Sequence, residues 1–205
     1  MIGREQMKKI YCAGPLFNAK EKEEMAEIAG VLENAEYQVF LPHRDGFEFA
    51  GLSTVFKELG LNDIETNDIL NRAIFTLDVF QVLDSDGLIL NINGRVPDEG
   101  AMVEAGIAWN AGKEVVIYKN DARTLLNGND NPLLLGLSGF NTVDCIQAIP
   151  TAFNERFKCL KPGKPKIDNS NLSSIYEKGK TIAVLAKDGK DQKEVCLKLQ
   201  NILGA

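Results

Sequence analysis

A chain of 205 residues, 44% hydrophobic and 25% charged, is long enough to bury a core in one domain with an appendage, and it reads as a soluble globular protein. Its net charge of -6, from 29 acidic and 23 basic residues with no long single-sign block, excludes the basic footprint of a nucleic-acid binder and points to small molecules or protein as partners. No apolar run reaches the roughly 18 residues of a membrane span, and the run after Lys8 and Lys9 is too short for a signal-peptide core. Four scattered cysteines and one histidine exclude a structural zinc site and suggest free thiols in a reducing cytoplasm.

In chain order, "KKIYCA" predicts a short strand cut off by Gly14 and Pro15. A helix follows from Asn18, its N-cap, with Met25, Ile28, Ala29 and Leu32 on one face. "YQVFLP" is a second strand. The stretch "HRDGFEFAGLSTVFKELGLND" has no clean period and reads as a long functional loop with a helical turn. From about Ile64 to Leu83 the apolar residues recur at helical spacing, and "GLILNI" is a fully apolar strand of the kind that sits centrally in a parallel sheet. The loop "NGRVPDEG", a small-residue helix and the strand "EVVIYK" come next, then an Asn, Asp and Gly-rich loop, then a last strand and helix between Asn141 and Lys161.

Alternating strands and helices predict an α/β fold: an open, mostly parallel sheet, Rossmann-like or flavodoxin-like, with helices on both faces. "KPGKPKIDNSNLSS" reads as a linker, which divides the chain into a domain over 1–161 and an extension over 162–205 with one or two helices, "TIAVLA" being ambiguous between helix and strand.

Ligands of such sheets bind beyond the carboxyl ends of the strands, and three candidates converge on that edge. In "YCAGPLF", Tyr11 ends a strand, Gly14 lets backbone approach a ligand, and Phe17 follows in the same turn as a candidate substrate contact; no dinucleotide fingerprint or Walker lysine is present. In "PDEGAMVEAG", Asp98 opens a helix and Glu104 follows six residues on, so both carboxylates can face the crevice near one helix terminus; Asp98 is equally an N-cap, and a single glutamate in a helix, such as Glu104, usually points to solvent. Asp78 falls on the margin of its helix's apolar face, beside Ile74 and Val82. Cys12 and His43 read as a core residue and a solvated loop residue rather than a nucleophile and base.

Taken together, "IYCAGPLF", Asp78, "DSDGLILNINGRVPDEGAMVEAGIAWNAGKEVVIY" and "NDNPLLLG" resemble the nucleoside 2-deoxyribosyltransferase family over about Lys8 to Gly139. The resemblance implies that Glu104 is the nucleophile, Tyr11 orients it, Asp98 lines the nucleoside site, Asp78 handles the nucleobase and its proton, and Asn131 is lent by a neighbouring subunit. It implies a homo-oligomer with shared active sites, nucleosides and free nucleobases as partners, and no cofactor or metal. The chain departs from the family in carrying Gly100-Ala101 where Gly-Thr is common. Relatives that cleave nucleoside 5'-monophosphates typically carry serine at the position of Asp98, and an anionic side chain there repels phosphate, so unphosphorylated nucleosides are expected. A hydrolase that gives the sugar to water, and a nucleotide-binding module without turnover, stay open.

Overall fold

The computed structural model describes residues 7–94, 98–122, 130–159, 170–188 and 191–204. The elements run β1 Lys9–Ala13, α1 Ala19–Asn34, β2 Gln38–Phe40, α2 Pro42–Asp45, α3 Phe49–Glu58, α4 Asp63–Asp84, β3 Gly87–Asn91, α5 Glu99–Asn110, β4 Glu114–Tyr118, α6 Pro132–Gly136, β5 Thr142–Val143, a 3-10 turn Ile146–Ala148, α7 Ile149–Cys159, α8 Ser170–Asp188 and α9 Gln192–Leu203. The chain divides into two compact units, Met1–Pro42 with Val82–Lys166 and His43–Gln81 with Ile167–Ala205.

The first unit is built on a five-stranded sheet, all parallel, in the order β2-β1-β3-β4-β5. That is the flavodoxin-like order, whose switch point lies between β1 and β3. Successive side chains of a strand point to opposite faces, and the sequence fills both faces with apolar residues. Ile10, Cys12, Ile89, Val116 and Tyr118 pack with Met25, Ile28 and Leu32 of α1 and Ile149 and Phe153 of α7. The intervening residues Tyr11, Ala13, Leu88, Leu90, Val115 and Ile117 are also buried, and α5 lies against β1, β3 and β4. A strand covered on both faces has no reason to alternate, which is why "GLILN" is apolar throughout. At the amino ends of the strands, Asp86 pairs with Lys8 and accepts the Lys9 N–H, both at 2.9 Å, and Asp84 pairs with Lys9 at 2.7 Å. Asp84 and Asp86 therefore tie the entry to β3 against β1.

The second unit is helical. Gly179 of α8 sits where a Cβ would lie 2.3 Å from Phe80 Cβ and 2.7 Å from the Thr76 carbonyl oxygen, so only glycine lets α8 approach α4 this closely. Tyr176, one turn earlier, rests on the Phe80 ring at 5.0 Å between centroids. α9 packs on α3, where the Cys196 thiol lies 3.7 Å from the Leu52 carbonyl oxygen.

Three sequence expectations are corrected here. The stretch read as a long loop contains the ten-residue helix α3. The loop after Lys119 contains α6, with residues 123–129 outside the described ones. Of the expected linker, residues 161–169 lie outside the described ones, while Ser170–Ser174 already belong to α8, and "TIAVLA" is helical. No helix among the described residues is long and apolar enough to cross a membrane.

Candidate active site

The site is built where β1 and β3 end. β1 continues into Gly14, which is buried; an added Cβ would lie 2.7 Å from Met25 Sδ and 2.9 Å from Asn91 Cβ. The bare backbone is thus explained by the tight passage between α1 and the end of β3. Phe17 stands outward, 80% exposed, and its N–H donates to Glu21 Oε2 at 2.8 Å beside the capping box that Asn18 and Glu21 form at the start of α1.

Tyr11 points to the α5 face of the sheet. Its register partner on β2 is Phe40, and the two rings stack at 5.6 Å with 22° between their planes. On α5 the buried residues Ala101, Ala105 and Ala108 form the stripe that meets the sheet. Glu104 lies about 60° round the helix from Ala101, on the flank of that stripe. From there it is half-buried, and the Tyr11 hydroxyl donates to Glu104 Oε1 at 2.7 Å. A hydroxyl bonded to a carboxylate is a strong, directional contact, and it fixes the rotamer of Glu104. Alanines on the packing face bring the helix axis close to the strands, so the carboxylate is held at a set height above β1.

Asp98 is the N-cap of α5: its Oδ1 accepts the Ala101 N–H at 2.7 Å. The structure therefore brings Tyr11 and Glu104 into contact and places Asp98 six residues before Glu104 on the same helix. Asn131 is exposed and caps α6, its Oδ1 accepting the Leu133 N–H at 3.0 Å. Asp78 sits within α4, and burial pushes its carboxyl from 3.8 up to about 7. Cys12 is buried in the core on the α1 side, and His43 is exposed.

Sequence reasoning missed the network that holds the strand-end loops. Glu24 of α1 accepts from the Asn91 side-chain amide at 2.8 Å through one carboxylate oxygen and from that of Asn93 at 2.9 Å through the other. Asn93 Oδ1 accepts the Asn120 N–H at 2.8 Å, and Asp121 Oδ2 accepts the Gly94 N–H at 3.1 Å. The carboxyl ends of β3 and β4 are thereby tied to α1. A glutamate on the polar side of a helix carries no signal of this kind; the nearest hint was Asn91 in an otherwise apolar strand. Two open hollows, of about 450 and 370 Å³, flank Glu24 and are lined by Glu27, Tyr118 and Asp144 and by Glu21, Asn93 and Asp121 respectively. Neither takes in Tyr11 or Glu104. Among the described residues no group of three or more His, Cys, Asp or Glu could hold a metal ion.

Sheet order and site define a flavodoxin-like α/β protein with a tyrosine-held carboxylate over the end of its first strand. The sequence pattern of the family described as nucleoside 2-deoxyribosyltransferase matches residues 10–192, and the chain belongs to that family, whose members act on the N-glycosidic bonds of nucleosides. Among solved structures, a conserved protein from Enterococcus faecalis V583 shares the fold with a TM-score of 0.54 at 21% identity, over 73% of this chain and 99% of that one. Weaker likenesses are to a 2-deoxyribosyltransferase from Bacillus psychrosaccharolyticus (TM-score 0.49, 18% identity, 78% of this chain and 99% of that one) and to a CMP N-glycosidase from Clostridium botulinum (TM-score 0.42, 16% identity, 72% and 99%). No curated protein matches.

Proposed function

We propose that the protein transfers 2-deoxyribose between nucleobases through a covalent glycosyl-enzyme on Glu104, with net retention. The observation that carries this reading is the 2.7 Å hydrogen bond from Tyr11 to Glu104 at the switch point of the sheet, in a chain of this family. Cleavage of an N-glycosidic bond builds positive charge at the anomeric carbon, and a fixed carboxylate beneath it both stabilises that charge and captures it. With Oε1 held by Tyr11, Oε2 forms the ester to C1' as the C1'–N electron pair leaves with the base. Asp78 gives that base its proton, a role supported by a carboxyl that burial keeps protonated toward neutral pH. An incoming base then attacks C1' through its nitrogen, returns its proton to Asp78 and releases Glu104 as carboxylate. Two displacements at one carbon restore the original configuration, and the cycle closes without a cofactor.

In this reading Asp98, Gly14 and Phe17 line the nucleoside site, and the negative charge of Asp98 favours unphosphorylated nucleosides. Asn131 reaches the site of a neighbouring copy, which makes the protein a homo-oligomer. The reaction belongs to nucleotide salvage in the cytoplasm, where free thiols such as Cys145 and Cys196 persist.

The test is chromatography of reactions with 2'-deoxyinosine, alone and with adenine, beside Glu104→Ala. A new deoxynucleoside that forms only with adenine and only with intact Glu104 is expected. Free base and sugar without it would mean hydrolysis; a fully active Glu104→Ala protein would remove the covalent mechanism.

A further inference from the structure

Residues 130–140 are held at both ends. At the start, Lys119 Nζ, one residue beyond β4, lies 2.5 Å from Asp130 Oδ1, with the two side chains only 11% and 19% exposed. At the other end, Arg156 of α7 donates through Nη2 to the Ser138 carbonyl oxygen at 2.6 Å, and its Nη1 lies 3.5 Å from Glu114 Oε2. The segment closes with the Phe140 N–H on the Leu135 carbonyl oxygen at 2.9 Å, Gly139 and Phe140 both holding a left-handed φ of 63°. Yet between these anchors the segment turns outward: Leu133 is 84% exposed and Asn131 is exposed beside it.

An ion pair this far out of water contributes little net stability, because desolvation of both charges offsets their attraction; its best-attested use is to fix a register. Here the residue whose register it fixes is Asn131, next in sequence to Asp130. The cap bond uses Asn131 Oδ1 as an acceptor and turns it to the helix start, and the donor that the side chain carries for a partner is its Nδ2 amide.

We propose that the Lys119–Asp130 ion pair is a latch that sets the position of Asn131, so that its Nδ2 donates a hydrogen bond to the nucleoside bound in a neighbouring copy of the chain. This rests on the reading of Asn131 as a residue lent between copies. Lys119 and Asp130 are positioning residues; neither touches substrate.

Two differently tagged chains, co-expressed and purified as mixed oligomers, test it. One carries Glu104→Ala and lends an intact Asn131; the other carries Asn131→Ala and keeps Glu104. Each alone is impaired, and the mixture should regain transfer from 2'-deoxyinosine to adenine. The latch variant is Lys119→Met with Asp130→Asn, which removes both charges of the pair at nearly unchanged volume. Placed on the lending chain, it should lower the regained kcat/KM about 10-fold; placed on the receiving chain, it should change nothing. Equal effects on both chains, or none on either, would overturn the latch while leaving the lent Asn131 intact. A mixture that regains no activity before any latch change would overturn the lent-residue reading and the latch with it. Lys119→Arg with Asp130→Glu, which keeps the pair but alters its reach, is the second reporter should the neutral pair not fold, and it should give the same chain-selective loss.

Discussion

Asp98 has a structural role that experiment can separate from the one proposed for it at the nucleoside site. Its Oδ1 takes the Ala101 N–H and so starts the helix on which Glu104 stands. Asp98→Ala removes that cap and should cost about 1 kcal/mol of stability. Asp98→Ser keeps an acceptor at the N-cap and should melt within a few tenths of a kcal/mol of the parent, as serine and aspartate cap about equally well. The serine variant nevertheless loses the charge. If Asp98 lines the nucleoside site, its KM for 2'-deoxyinosine rises while the 5'-monophosphate becomes a substrate. Thermal melts of the three proteins beside both sets of kinetics separate the roles, and identical kinetics in all three would leave Asp98 as a cap alone. Glu104 divides differently: helix spacing allows a solvent-facing glutamate, and only contact with a residue 93 positions earlier distinguishes it.

At the scale of elements, the central strands were legible as short apolar runs bounded by turn residues, and α1 by its Asn18 cap and the helical spacing of Met25, Ile28, Ala29 and Leu32. α3, α6 and the first turn of α8 were hidden for separate physical reasons. α3 carries Gly51, which reads as a breaker, but it lies in the first turn, where its N–H is taken by Glu48 Oε2 at 2.9 Å; Leu52 and Phe56 then bury at helical spacing. α6 is announced by Asn131-Pro132, an N-cap followed by proline at the first helical position, and its brevity leaves no period to read. α8 begins in a polar stretch and draws its stability from packing, for which sequence propensity is a poor guide. Gly179 makes that packing testable. In an open helix interior, Gly→Ala should stabilise by up to about 1 kcal/mol. With Phe80 Cβ and the Thr76 carbonyl oxygen inside 3 Å of the new methyl, Gly179→Ala should instead destabilise by about 1–3 kcal/mol. A melting temperature at or above that of the parent would mean that α8 is not pressed against α4 as described.

Across the whole molecule, what could not be read from the chain is how distant residues meet. Tyr11 and Glu104 come from β1 and α5, and no spacing rule joins them; the sheet order does, by setting β1 beside β3 and sending α5 back over both. The family pattern supplied their pairing before the geometry did, and it is silent about Glu24 and Lys119, whose partners are set by the fold. The charge state of Asp78 is likewise a property of the folded molecule, since burial holds its carboxyl at about 7 against an ordinary 3.8. Between those two values the folded protein keeps a proton that the unfolded chain has lost, so stability falls as pH rises from about 4 to about 7 and then levels off. Below that window the group contributes no penalty; above it, a buried carboxylate costs at most about 4 kcal/mol. Asp78→Asn has no proton to lose. Its melting temperature should match that of the parent near pH 3 and exceed it by a margin that grows up to about pH 7, and paired melts from about pH 3 to 8 are the measurement. A constant difference at every pH would show that Asp78 titrates as an ordinary carboxylate, which would also remove the ground for making it the proton donor.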